Sequence, residues 1–160
     1  SPPLRLINIS RVYRRQSDTS HLPMFHQVEL LAVGEHVTVA DLKGTIEYFM
    51  RHFFGEKRTL RFRPYHFRFT EPSFEVDIDC DVCHGDASLG CRLCKRGWLE
   101  LGGAGMTHPN VLKAGGVDPE KFSAFAFGFG VERITMMREG LRIPDIRMLV
   151  QSDMRFLKQF

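Results

Sequence analysis

Leu4, Leu6, Ile9 and Val12 form an apolar-rich stretch that predicts a strand running into a turn over Arg11–His21, and Phe25–Val33 predicts its partner. Between them, Arg14-Arg15-Gln16-Ser17-Asp18-Thr19-Ser20 predicts a long polar loop at the hairpin tip, where a rigid scaffold commonly presents binding groups. Thr38 with Asp41 predicts a helix start, and Val39, Leu42, Ile46, Phe49 and Phe53 continue it as an apolar stripe that stops near Gly55. Thr59–Tyr65 and Phe74–Ile78 alternate as strands, and Gly97–Leu101 follows as a third. Seven of the nineteen residues over 101–119 are Gly or Pro, interleaved with Leu, Met, Val and Ala, so this stretch is expected to be a packed loop close to a ligand. Ser123–Phe129 predicts a buried strand, and Gly130-Val131-Glu132-Arg133 opens a helix that Gly140 can stop. Strands, helix, strands, helix is the order of an α+β domain, an antiparallel sheet flanked by helices, rather than of a doubly wound parallel fold.

Composition supports one domain. The chain has 160 residues, 43% of them hydrophobic and 26% charged, enough to bury roughly two thirds of the unfolded surface. No repeat or polar linker divides it, so residues 1–160 are expected to fold as a unit. The longest apolar run with glycines included, Ala124–Val131, is eight residues, against about eighteen for a membrane span. Ser1-Pro2-Pro3-Leu4 has no initiator methionine and no signal sequence, so the chain is expected to be a piece of a longer protein. The net charge of +3 is unevenly spread: residues 1–68 carry 11 basic and 6 acidic side chains and residues 69–160 carry 11 and 13. The first part suits an anionic ligand, although no block of like charge is long enough to bind nucleic acid alone.

Cys80-x-x-Cys83 and Cys91-x-x-Cys94, seven residues apart, can close on one tetrahedral ion as two knuckles over residues 80–94. Four thiolates saturate zinc and leave no position for a water, so the site is expected to be structural. His84 is left as a surface histidine. Arg14, Arg15 and His21 at the hairpin tip and Arg133 at the head of a helix can clamp a polyphosphate from two sides, while Gly128-Phe129-Gly130 lacks the third glycine of a dinucleotide fingerprint. On composition alone Phe25, Phe67, Phe69, Phe125 and Phe127 read as core.

The stretches R-V-Y-R (Arg11–Arg14), F-H-Q-V-E (Phe25–Glu29), L-K-G-T-I-E-Y-F (Leu42–Phe49), R-F-R-P (Arg61–Pro64), F-T-E-P-S (Phe69–Ser73), W-L-E-L-G-G-A-G-M-T-H-P-N-V (Trp98–Val111) and F-A-F-G-F-G-V-E-R (Phe125–Arg133) closely resemble the catalytic alpha chain of bacterial phenylalanyl-tRNA synthetases. The resemblance runs from end to end, with R-V-Y-R onward similar to motif 2 of a class II aminoacyl-tRNA synthetase and G-F-G-V-E-R similar to motif 3. It implies the class II catalytic fold and an ATP-dependent phenylalanine–tRNA ligase that forms phenylalanyl-adenylate and then phenylalanyl-tRNA. It further implies Mg2+ and structural Zn2+, tRNA(Phe) and a beta subunit in a heterotetramer as partners, no membrane, and a cytoplasmic location, which reduced zinc thiolates also favour.

Position by position, the resemblance gives Arg14 the ATP α-phosphate and Arg133 the γ-phosphate end, puts His21 on ATP, and stacks Phe25 on adenine. Gln27 and Glu29, two apart on a strand, would hold the substrate ammonium group, Phe67 and Phe69 the phenyl ring, and Ala126 the floor beneath it. Glu71 would be a magnesium ligand shared with the beta chain, and Glu100 a weaker candidate for ATP-bound magnesium. Gln16 stands where the family has an acidic residue, Arg68 replaces a proline and Ala124 a glycine. Motif 1 and the N-terminal coiled coil are missing from the sequence, so the isolated chain is expected to be inactive or nearly so. The rival reading is a non-catalytic synthetase-like module, binding or regulatory, with zinc as its fold determinant. The set Arg14, Gln27, Glu29 and Arg133 favours the enzyme, because a decayed synthetase would keep its zinc ligands but not these.

Overall fold

The computed structural model describes residues 1–84, 86, 91, 93, 94, 96–141 and 143–158. Six strands form one sheet in the order β1-β2-β6-β5-β4-β3, every pair antiparallel. They are β1 Leu4–Tyr13, β2 Met24–Gly34, β3 Leu60–Phe67, β4 Thr70–Asp79, β5 Trp98–Thr107 and β6 Ser123–Gly130. The expected α+β architecture with an antiparallel sheet is therefore present. Helix α1 (Val39–Phe54) covers the middle of one face, α2 (Pro109–Ala114) follows β5, α3 (Val131–Met136) follows β6, and a 3-10 turn Ile146–Leu149 and α4 Met154–Leu157 close the chain.

Thr38 and Asp41 cap α1 reciprocally: the Thr38 hydroxyl oxygen accepts from the Asp41 N–H, and the Asp41 carboxylate accepts from the Thr38 N–H. The buried stripe of α1 is Leu42, Ile46, Met50 and Phe54. This corrects the expected one at its end: at a spacing of four, Phe54 turns into the core, and Phe53 is 38% exposed. From Phe125 onward β6 alternates between buried and half-buried positions. Phe125, Phe127 and Phe129 are buried toward the core, with the Phe129 ring 6.4 Å from Phe49 of α1. Ala126, Gly128 and Gly130 face the other way, opposite Leu31, Glu29 and Gln27 of β2. Phe129→Ala is expected to cost about 3–5 kcal/mol of stability, the range for truncating a fully buried aromatic ring, while leaving the opposite face of the sheet intact; thermal or urea unfolding checks the size.

The glycine-rich stretch after residue 101 is not a loop. β5 continues through Gly102, Gly103 and Gly105 to Thr107, and α2 begins two residues later with Pro109 in its first turn. Glycine suits these strand positions because neighbours lie where a Cβ would be: one built on Gly102 would stand 2.0 Å from the Gly128 carbonyl oxygen, and one on Gly105 2.6 Å from that of Pro72. β4 likewise starts at Thr70, earlier than the apolar alternation indicates, and takes Pro72 into a register shift between Thr70 and Ser73. α3 ends at Met136, short of Gly140, which lies at φ +85° in the turn beyond.

Asp77 of β4, 1% exposed, accepts from Arg63 at 2.5 and 2.8 Å and from Arg61 at 2.9 Å. Burial pushes its carboxyl pKa up, but the two guanidinium groups outweigh burial and hold it below the usual range.

Candidate active site

A cleft of about 780 Å3 opens on the face of the sheet opposite α1, and Arg14, Phe25, Gln27, Glu29, Phe67, Phe69, Glu100, Ala126 and Arg133 all line it. The residues singled out from the sequence thus come from β1–β2, the β3–β4 turn, β5, β6 and α3 to one place. His21 and Glu71 stand outside the lining. The five phenylalanines divide: Phe125 is core, Phe127 is buried at 7% exposure beside the cleft, and Phe25, Phe67 and Phe69 are cleft residues.

At one end two guanidinium groups converge. Arg133, 9% exposed, donates from Nε to the Ser20 carbonyl at 3.2 Å, from Nη1 to the Glu100 carbonyl at 2.8 Å and from Nη2 to His21 Nε2 at 2.8 Å. Because a guanidinium only donates, His21 Nε2 accepts, the proton sits on Nδ1, and Nδ1 donates to Asp18 at 2.8 Å. The relay Asp18–His21–Arg133 joins the hairpin tip to α3. Arg14 lies with Cζ 4.1 Å from the Phe25 ring centroid and donates from Nε to the Leu22 carbonyl at 3.0 Å. Burial lowers the pKa of both arginines, and the charge of Arg133 lowers that of Arg14 further, against the opposing effects of Asp18, Glu100 and Glu132. Two cations held together at a desolvating surface favour an anion between them.

At the other end the groups suit a cation and an aromatic ring. Gln27 Nε2 donates to Glu29 Oε1 at 2.7 Å, which confirms that the two side chains share a face. The Phe67 and Phe69 rings stack at 5.5 Å and 17°, with Phe69 59% exposed at the mouth. Ala126 lies between Leu31 and Gly105 in the cross-strand row. Glu71 is exposed, 3.7 Å from His108 Nε2. Ala124, two residues from Ala126, is buried with Val33 and Leu112, away from the cleft, and Gln16 and Arg68 are exposed.

Two contributors were not singled out from the sequence. Asn8 of β1 pairs with Glu29 in register and donates to its Oε2 at 3.4 Å, a neighbour that becomes visible only once the hairpin register is drawn. Glu132 accepts from the His26 N–H at 3.0 Å and from His26 Nδ1 at 2.8 Å, fastening α3 to β2 beside Phe25. Its place in G-V-E-R next to Arg133 was the available signal.

The four cysteines form a second site in the β4–β5 connection; residues 85, 87–90, 92 and 95 of the knuckle region lie outside the described residues. Their sulfur atoms all lie within 4.8 Å of one another, with Cys83–Cys94 at 3.3 Å and Cys80–Cys91 at 4.0 Å, close to the edges of a tetrahedron around an ion with bonds of about 2.3 Å. This donor set fits zinc. Burial raises the Cys80 and Cys94 thiols; at Cys91 burial pushes the same way but the N–H groups of Cys94 and Leu93 prevail and lower it. His84 is exposed. Among the described residues these cysteines are the only group of three or more side chains placed to hold a metal, and no helix is long and apolar enough to cross a membrane.

The sheet with its cleft is that of a class II synthetase core. A solved pyrrolysyl-tRNA synthetase from Desulfitobacterium hafniense superimposes with a TM-score of 0.57 at 19% identity, covering 96% of this chain and 47% of that one, a likeness of fold. All of residues 1–160 match the family described as tRNA synthetases class II core domain (F), and the chain belongs to that family. It is 56% identical over 160 residues to a Pseudomonas fluorescens (strain Pf0-1) protein and 57% identical to one from Francisella tularensis subsp. novicida (strain U112), each named phenylalanine–tRNA ligase alpha subunit. The chain spans 46% of the length of each.

Proposed function

We propose that this chain is the part of a phenylalanine–tRNA ligase alpha subunit that runs from motif 2 onward and carries the site of phenylalanine activation. The observation that carries the reading is the convergence of Arg14 and Arg133 on one end of the cleft, with Gln27–Glu29 and the Phe67–Phe69 stack at the other. Glu29 and Gln27 hold the ammonium group, and the stacked rings with Ala126 take the phenyl group. That leaves the substrate carboxylate directed toward the arginines. It attacks the α-phosphorus of ATP; the new O–P bond forms as the bond to pyrophosphate breaks, and pyrophosphate leaves. Arg14 holds the oxygens on which charge builds, Arg133 with its His21 support holds the triphosphate tail, and Phe25 carries adenine on its free face. Transfer to tRNA(Phe) with release of AMP completes the reaction, in assembly with a beta subunit.

Magnesium suits this end of the cleft, where Glu100 lies 3.7 Å from Arg133. Among the described residues no cage of carboxylates stands there, so the fit is to a metal bound chiefly by phosphates with Glu100 beside it, which would neutralise phosphate charge when bound. Glu71, exposed beside His108 and outside the cleft lining, is the candidate for a separate magnesium shared with the beta chain. Zinc on Cys80, Cys83, Cys91 and Cys94 holds the β4–β5 connection, and a thiol-bound metal suits the reducing cytoplasm.

The test is pyrophosphate exchange by the assembled two-subunit enzyme with a panel of amino acids; a preference for any other amino acid over phenylalanine sinks the reading. A sharper prediction concerns Ala126. Its methyl group stands on the cleft floor, so Ala126→Gly is expected to raise the efficiency with para-chlorophenylalanine relative to phenylalanine about tenfold or more, the worth of a small group in an apolar pocket. An unchanged ratio would remove Ala126 from the ring pocket.

A further inference from the structure

On the reading that Phe67 and Gln27 touch the substrate, we infer that Gly103 and Gly128 are the specificity-determining backbone of the amino acid site: the space left by their missing Cβ atoms is where those two side chains lie. A single row crosses the sheet from Glu75 of β4 to Gly103 of β5, Gly128 of β6 and Glu29 of β2. Directly paired residues share a face, so both glycines lie on the cleft side. A Cβ on Gly103 would stand 2.8 Å from Cε2 and Cζ of Phe67, and one on Gly128 would stand 2.7 Å from Gln27 Nε2 and 3.6 Å from Glu29 Cγ. Neither position is a left-handed one.

Their neighbours differ in kind. At Gly102 and Gly105 the obstructing atoms include main-chain carbonyl oxygens, from Gly128 and Pro72, so those glycines serve the sheet. At Gly103 and Gly128 the obstructing atoms are the ends of two side chains that can rotate away. An added methyl at Gly103 lifts the Phe67 ring off the strand and into the space of the bound ring. At Gly128 it pushes the Gln27 amide away from the 2.7 Å bond to Glu29. One glycine therefore controls fit of the ring, the other recognition of the ammonium group.

The experiment is a mutant cycle in the full-length two-subunit enzyme, read by pyrophosphate exchange. Gly103→Ala is expected to raise KM for phenylalanine about tenfold with KM for ATP within about twofold, and to disfavour para-chlorophenylalanine further. In a Phe67→Ala background the same change is expected to alter KM by less than about twofold, because the ring it displaces is gone. Gly128→Ala is expected to raise KM for both amino acids by one common factor. If Phe67→Ala itself leaves KM for phenylalanine unchanged, the ring-pocket reading fails. If Phe67→Ala raises KM but Gly103→Ala is silent, or acts equally in both backgrounds, the glycine inference alone is overturned. A drop in melting temperature beyond about 10 °C for Gly103→Ala or Gly128→Ala, several kcal/mol for a domain of this size, overturns it too, because the strain would then lie in the backbone.

Discussion

Arg133→Ala in the assembled two-subunit enzyme is expected to reduce adenylate formation by about a hundredfold or more, the loss that follows removal of one preorganised charge-stabilising donor. The size follows from how the side chain is held. Arg133 is 9% exposed and fixed by the carbonyls of Ser20 and Glu100 and by His21, so in the proposed role it would meet the phosphates without reordering. Those partners also give the substitution a structural cost: two carbonyls lose a donor at about 1–3 kcal/mol each if they stay dry. Melting measured beside exchange separates the two, since saturating ATP restores a merely destabilised site. Arg133→Lys is expected to recover little, because one ammonium group cannot donate to Ser20, Glu100 and His21 from a planar fork. Wild-type exchange by Arg133→Ala would assign the arginine to hairpin-tip anchoring alone.

The parts of this architecture written in the sequence are those with local periodicity. The cap of α1 at Thr38 and Asp41, the strands on either side of the hairpin tip and the alternation of β6 are set by neighbours within a turn or a strand. The extension of β5 through three glycines was not legible. Glycine is a poor strand former by itself, and at Gly102 and Gly105 it is required by main-chain carbonyls of β6 and β4 that only the folded sheet brings near. The end of the α1 stripe shows the same limit: Phe53 and Phe54 are equally apolar, and packing against the sheet chose Phe54.

For the site, the residue types were legible and their mutual geometry was not. The motifs marked Arg14, Gln27, Glu29 and Arg133, but the tautomer of His21 and the anchoring of Glu132 on His26 depend on approaches across 106 to 112 residues of chain. The phenylalanines could not be sorted by composition. Phe125 and Phe25 differ only in which face of which strand carries them, and that is decided by sheet order.

Loss of zinc from the cysteine site is expected to have the largest effect on stability. Fresh reduced protein is expected to hold one zinc per chain, and Cys91→Ser to release it. Cys80 follows the last residue of β4, and its N–H donates to the Gly97 carbonyl at 2.8 Å just before β5 begins, so a metal on these thiolates would close the connection between two adjacent strands at their ends. Arg58 secures the same corner, pairing with Asp79 at 3.1 Å and with the Met137 carbonyl at 2.8 Å. Cys80 is wholly buried and Cys83 and Leu93 nearly so, while Cys91 and Cys94 pack against the main core. Opening the knuckle therefore exposes core around Leu93 and Leu99. Zinc on four thiolates contributes about 10–16 kcal/mol in small peptides; here the sheet has its own core, so the loss should unfold residues 80–97 first and lower the melting temperature of the rest. The sign with pH follows from the thiols: binding displaces protons that burial makes Cys80 and Cys94 hold tightly, so zinc affinity falls as the solution is acidified and metal is released at low pH. Metal content by elemental analysis, with hydrogen exchange over residues 80–97 before and after chelation, checks each step. A fresh preparation that holds no zinc, or exchange unchanged by the chelator, would leave the cysteines as a buried thiol cluster without a metal.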